Sequence, residues 1–228
     1  MQITYVGHSA FALNDGEHSV LIDPFITGNP AATLSADDFS PQTILLSHAH
    51  NDHLGDSVAI AKRTGAKVIA TFELAEWLAT QGLDDVEGGN HGGTLAFGGG
   101  TAKFTPAWHT SSYETADGTV AAGVAAGLIV RFGEKTMYFA GDTSLFGDMQ
   151  LIGDEKLDLA VVPIGGHFTM DPDDALKAVR MLSPIAVIPC HYNTFDAIRQ
   201  DGAAFKRAVE SETTARCLLL NPGETIEI

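Results

Sequence analysis

The stretch Thr43-Ile44-Leu45-Leu46-Ser47-His48-Ala49-His50-Asn51-Asp52-His53 decides how this chain is read. Its first five residues are a continuous run of buried-strand length, and a helical pattern follows as far as Gly65. The histidines therefore fall in the turn at a strand's carboxyl end. Three His and one Asp occupy six residues there, a density that a solvated polar loop would collect only by chance. In extended or turn backbone, residues i and i+2 point to the same side, so His48 and His50 can share one ion. Asp52 and His53, at the helix start, can serve a neighbouring one. The grouping argues for two metals.

Outward from this strand, loop and helix, the same alternation continues. Short strands bounded by turn residues are expected near 2–6, 10–14 and 19–23, a meander. Residues 67–71 read as a strand and 72–80 as an amphipathic helix, with Gly82 a stop. The Gly-rich segment 88–100 reads as open loop, and strand-like runs near 101–107, 124–132 and 136–140 suggest a second sheet. The last third alternates again: strand 157–163, helix from Asp171-Pro172, strand 185–189, helix 203–210, then strands to the C-terminus. Asp171 suits an N-cap and Pro172 the first helical position, with Asp173 and Asp174 at the positive end of the dipole. No linker or fixed-period repeat interrupts this order. A single α/β domain over 1–228, with two sheet layers and flanking helices, is expected.

Composition removes several function classes. With 228 residues, 45% hydrophobic and 18% charged, the chain can bury a sizeable core, which excludes intrinsic disorder. Thirteen Lys and Arg against 29 Asp and Glu leave a net charge of −16, a field that repels phosphate backbones, so no nucleic-acid partner is expected. The longest apolar run, residues 120–130, falls well short of the roughly 20 residues that a membrane helix needs. Met1 leads straight into Ile3-Thr4-Tyr5-Val6 without a basic, then apolar, leader, and the only cysteines are Cys190 and Cys217. A cytoplasmic, reducing setting is the expectation.

Further candidates stand where expected strands end. They are His109 after Thr105-Pro106-Ala107-Trp108, Asp142 in Ala140-Gly141-Asp142-Thr143, and His191 in Ile188-Pro189-Cys190-His191. Loops beyond the carboxyl ends of strands are where α/β folds collect their site residues, so these segments can converge although far apart in sequence. Cys190 reads as a buried structural thiol. Asp23, before a proline at a strand end, either accepts an Nδ1–H from a metal-bound histidine or shapes the turn. His18 and His91 read as surface residues.

With His48-Ala49-His50-Asn51-Asp52-His53 followed in order by His109, Asp142 and His191, the sequence resembles the metallo-β-lactamase superfamily. Within it, the chain is similar to the UPF0173 group of metal-dependent hydrolases, related to the ascorbate-phosphate lactonases. The likeness runs nearly end to end, through Gly7-His8-Ser9-Ala10-Phe11, Leu21-Ile22-Asp23-Pro24-Phe25, Pro163-Ile164-Gly165-Gly166, Phe168-Thr169-Met170 and His191-Tyr192-Asn193-Thr194-Phe195.

The resemblance implies a four-layered αβ/βα sandwich, two mixed sheets face to face with helices outside and two divalent ions at one edge. His48, His50 and His109 would hold the first ion, Asp52, His53 and His191 the second, and Asp142 would bridge them. Zinc is the default for so many imidazoles, with manganese, iron or nickel as alternatives. The implied chemistry is hydrolysis of a small-molecule ester, lactone, thioester or phosphoester by a hydroxide generated between the ions, Asp52 orienting it and carrying a proton to the leaving group. Two other readings stand beside it: a redox or non-catalytic metal protein, and a metal-dependent phosphodiesterase or nuclease, which the acidic charge opposes. The di-iron redox branch of the superfamily typically has Glu where this chain has His50. His8 is expected near the mouth, touching substrate, and His167 as a weaker substrate contact. Loops 24–40, 109–123 and 165–171 are expected to shape specificity. The resemblance also suggests a homo-oligomer, with Phe25, Phe146 and Phe168 available to an interface.

Overall fold

The computed structural model describes residues 1–115 and 118–228; the expected loop 109–123 thus includes two residues, 116 and 117, outside the described ones. The first seven-stranded sheet is built from β1 (Gln2–Gly7), β2 (Ala10–Asn14), β3 (Ser19–Ile22), β4 (Thr43–Leu45), β5 (Lys67–Thr71) and β6 (Val86–Gly89), closed on its far edge by the C-terminal strand. The second carries β7 (Thr94–Phe97) and β8 (Gly100–Pro106) at one edge. A separate hairpin of β9 (Ser112–Thr115) and β10 (Gly118–Ala121) follows. Then come β11 (Ala126–Phe132), β12 (Lys135–Phe139), β13 (Leu159–Pro163), β14 (Ala186–Cys190) and β15 (Arg216–Cys217), before β16 (Thr225–Glu227) returns to pair with β1.

Both sheets are mixed. The order β16-β1-β2-β3-β4-β5-β6 is antiparallel as far as β3 and parallel from β3 to β6. The order β15-β14-β13-β12-β11-β8-β7 is parallel as far as β12 and antiparallel beyond. Alternation along the strands sorts side chains between two faces. Phe11, Leu13, Ile22 and Leu45 of the first sheet meet Phe104, Leu128, Val130, Phe139 and Val161 of the second in a shared apolar layer. The outward residues Leu21, Ile44 and Val68 are covered by α2 (Ser57–Thr64) and α3 (Phe72–Thr80), which follow the short α1 (Asn51–Leu54). Tyr138, Ala160 and Val187 are covered by α4 (Met149–Gly153), α5 (Pro172–Leu182) and α6 (Gly202–Glu212). Because β4, β13 and β14 are buried on both faces, they read as continuous apolar runs. This is the helix, sheet, sheet, helix sandwich that the sequence led us to expect.

The helix ends follow their sequence. Asp171 caps α5 by accepting from Asp174 N at 2.8 Å, with Pro172 in the first turn, and Gly65 ends α2 in the left-handed conformation at φ 72°. The Gly-rich 88–100 segment is not an open loop beside the site. It supplies β6 and β7, where a Cβ on Gly89 would lie 2.5 Å from Leu95 and 2.6 Å from the Phe104 ring. Gly89 is demanded by that close packing. His18 is likewise no surface residue: it packs under Gly98 and Gly99 with Nδ1 buried. His91 is exposed as expected and bonds the Ala125 carbonyl at 2.8 Å. No helix among the described residues is long and apolar enough to cross a membrane. Both cysteines are free and buried.

Candidate metal centre

The parallel strands of both sheets point their carboxyl ends at the same seam, and the chemistry gathers there. β4 runs out through Leu46 and Ser47 into His48 and His50, and α1 begins at once with Asn51, Asp52 and His53. From the second sheet come His109 after β8, Asp142 after β12 and His191 after β14. Backbone bonds lock the two halves: Ala126 N donates to Ser47 O at 3.0 Å, and His191 N to His8 O at 2.9 Å. Gly141 sits at this seam, its φ at 61° and a Cβ there only 3.0 Å from Ser47 Cβ of the first half.

Two clusters of ligand atoms result. His48 Nε2 lies 3.0 Å from His50 Nδ1, which lies 3.3 Å from His109 Nε2. Across Asp142, Asp52, His53 and His191 form the second cluster with His8 behind them. Asp142 stands between, its Oδ1 3.2 Å from His53 Nε2 and its Oδ2 3.0 Å from His191 Nε2 and 3.6 Å from His109 Nε2. The cleft over them encloses about 280 Å³, its wall completed by His50, Thr110 and Phe168.

Behind the ligand atoms, hydrogen bonds settle which ring nitrogen faces inward. The single hydroxyl proton of Ser47 goes to Asp23 Oδ2 at 2.6 Å, so toward His48 Nδ1, at 2.9 Å, that oxygen accepts. His48 Nε2 is thereby left with its lone pair. His53 Nδ1 donates to the same Asp23 oxygen at 2.8 Å, turning its own Nε2 toward Asp142. His53 Nε2, Asp142 Oδ1 and both ring nitrogens of His191 are buried without a partner in hydrogen-bond geometry. Inward lone pairs grouped around a buried carboxylate are a donor set that fits cations.

The electrostatics follow from this crowding. Burial opposes the Asp142 carboxylate, yet His191 and His53 outweigh it and hold its pKa well below the usual carboxylate range. Burial likewise opposes charge on His191, and Asp142 and Asp52 overcome it, raising its pKa to about 9. His53, between Asp142 and Asp23, is also held well above 6.5 against burial. His48, with histidines around it, is pushed well down by burial.

The remaining expected site residues are placed differently from one another. Asp23 is buried, at φ 44°, behind His53 and Ser47. His8 is not at the mouth: it is fully buried behind Asp52, wedged against Phe25, Phe195 and His191. Its Nε2–H donates to Asp52 Oδ2 at 3.1 Å, and Nδ1 pairs with Thr194 Oγ1 at 2.9 Å. Burial lowers its pKa to about 4. His167 is exposed and turned against the Phe168 ring, outside the cleft wall; the neighbouring Phe168 lines it instead. Phe146 is buried in the outer core with Met149 and so is not available to an interface, and Phe25 is half-buried against His8. Ser47, Thr110 and Thr194 carry no spacing signal that sequence reasoning could have used.

Comparison with known proteins agrees with this geometry. The model of the β-lactamase superfamily domain matches residues 18–192. A UPF0173 metal-dependent hydrolase of Thermus thermophilus is 49% identical over 229 residues, covering 100% of this chain and 99% of its own. Another, from Pelotomaculum thermopropionicum, is 47% identical over 230 residues and the whole of both chains. Among solved structures, Igni18, a metallo hydrolase from the archaeon Ignicoccus hospitalis, matches with a TM-score of 0.89 at 40% identity, over 99% of this chain and 97% of its own. Matched along its whole length by relatives that share nearly half its residues, this chain belongs to the β-lactamase superfamily as one of the UPF0173 metal-dependent hydrolases.

Proposed function

We propose that the protein is a binuclear hydrolase of a small-molecule ester, lactone, thioester or phosphoester. The observation that carries this reading is the pair of ligand clusters on either side of Asp142. His48, His50 and His109 would hold one ion, Asp52, His53 and His191 the other, with Asp142 shared. Two divalent ions bound there, zinc first among them, would supply an activated water near neutral pH and polarise the scissile carbonyl or phosphoryl group.

The chain's own residues prepare this chemistry. Asp23 and Ser47 fix the ring planes of His48 and His53, so that their inward nitrogens do not reorient during the reaction. Asp52 lines the cleft and stays anionic at neutral pH, since burial is outweighed by the nearby His191, 3.6 Å away, and by the hydrogen bond from His8. With Oδ2 held by His8, Asp52 orients the attacking water through its other oxygen and relays the proton to the leaving group. Cys190, buried and with its thiol pKa pushed up by burial, takes no part as a nucleophile.

Elemental analysis of protein purified without added metal tests the reading, beside a panel of ester, lactone and phosphodiester substrates. About two zinc or manganese ions per chain, lost together with activity on chelation, is the expected result. Less than half an ion, not restored by incubation with metal, overturns it.

A further inference from the structure

The thirteen Lys and Arg are distributed unevenly: none lies in residues 1–61, 104–130, 136–155, 157–176 or 181–198. Those five segments carry every loop that reaches the centre. The nearest in sequence, Lys103 and Lys135, are paired with Glu155 at 2.8 Å and Asp158 at 3.6 Å, and Arg199, beyond His191, is 75% exposed and bound to Asp196 at 2.7 Å. Apart from ligand-type histidines and aspartates, the cleft wall among the described residues shows only Thr110 and Phe168. Phosphoryl transfer spreads negative charge over several equatorial oxygens, and proteins that catalyse it add Arg or Lys clamps to the metal. Acyl transfer concentrates the developing charge on one oxygen, which a metal centre can meet without such a clamp.

The rim adds an apolar element. Phe168 is 57% exposed at the cleft, its ring 4.5 Å from the His167 ring, and its segment is held by Met170 N donating to Thr143 O at 3.0 Å. Trp108, 68% exposed, is tied to the same residue, its backbone N donating to Thr143 Oγ1 at 3.0 Å. Two segments carrying exposed aromatic residues are thus tied through their backbones to the residue that follows Asp142: Phe168 lines the cleft, and Trp108 directly precedes His109.

We infer that the substrate is an uncharged carboxylic ester or lactone with an apolar tail, its acyl group at the metal centre and its tail against Phe168 and Trp108. The inference rests on the hydrolase reading and narrows it. In the reaction, the oxygen of water bonds to the acyl carbon, the acyl C–O bond breaks, and the departing oxygen takes a proton. A lactone opens to its hydroxy acid, and no redox partner is consumed.

The test uses the full chain loaded with zinc and carrying Trp77→Phe, which leaves Trp108 the only tryptophan. Its fluorescence is titrated with γ-lactams bearing ethyl to hexyl tails, which resist hydrolysis, and with hexyl phosphate. Turnover of the matching γ-lactones and of p-nitrophenyl phosphate is measured in parallel. The lactam dissociation constant is expected to fall about twofold per methylene, half the effect of full burial. Phe168→Ala should flatten the series and Phe168→Leu restore most of it. A flat series in the parent, or hexyl phosphate binding more tightly than the hexyl lactam, overturns the inference. Lactone turnover with no tail dependence leaves the hydrolase reading intact and removes this one. Tail-dependent lactam binding with no turnover of any substrate overturns the hydrolase reading and the assigned substrate with it, and leaves only an apolar binding surface at Phe168.

Discussion

His53 Nδ1 sits 2.8 Å from Asp23 Oδ2, and both residues are buried behind the cleft. That one carboxylate also takes the Ser47 hydroxyl and the Ser47 backbone N–H, at 2.6 and 2.8 Å, and so sets two imidazoles at once. Asp23→Ala is therefore expected to lower metal affinity about 10–100-fold, and Ser47→Ala to do so by less. Competition against a chromophoric chelator measures both. Unchanged affinity in Asp23→Ala would reduce Asp23 to a turn-former.

Individual ligand losses should be unequal. His48→Ala, which opens one cluster, is expected to keep about one ion per chain and to lose at least about a hundredfold in turnover. Asp142→Ala touches both clusters and should lower the content of both ions. Mass spectrometry of the two variants beside wild type decides this, and wild-type metal content in either sinks the assignment.

Gly141→Ala places a methyl group 2.9 Å from Ala126 O and 3.0 Å from Ser47 Cβ at a left-handed backbone position. The expected cost is about 1–3 kcal/mol, a fall in melting temperature of about 2–10 °C. Calorimetry checks it. A variant as stable as wild type would mean that the seam yields more readily than its packing implies.

Glu155 accepts from Lys103 Nζ at 2.8 Å and from Arg131, joining β8 and β11. The Lys103 hydrogen bond, more than Arg131, holds its pKa below 4.5. A depressed carboxylate contributes stability that is present above its unfolded pKa and lost as pH falls through the folded value. Glu155→Gln should melt about 1–2 °C lower at pH 7, and the gap should close on titration from pH 5 to pH 3. A gap that persists at pH 3 would assign the loss to packing instead.

Most strands were legible because they are buried on one face or both, and apolar runs such as 43–47 and 157–163 announce that directly. β6 was not, since its Gly88 and Gly89 pack against Phe72, Leu95 and Phe104 and supply no side chain to form a pattern, and the four residues of β7 are hidden between glycines. The β9–β10 hairpin is largely exposed, so burial leaves no signature in it either. At the site, ligand-type residues declare themselves by ending strands. His8 also follows a strand, β1, but its Gly7-His8-Ser9 turn suggests the mouth, and only its φ of 59° and the packing of Phe25 and Phe195 put the ring behind Asp52. Hydroxyl partners such as Ser47 and Thr194 are common anywhere and were invisible until their distances were known.

The apolar layer in which Phe11 meets Phe139, ring centres 5.6 Å apart, also acts as the gauge of the active centre. One bank of ligand-type residues stands on each sheet, so the distance across the centre is set by how thick that filling is. Enlarging or trimming a core side chain shifts the banks relative to each other without touching a ligand. The hydrophobic interior is thus part of the site's geometry, whereas the outer helices clad the sheets without spanning that gap.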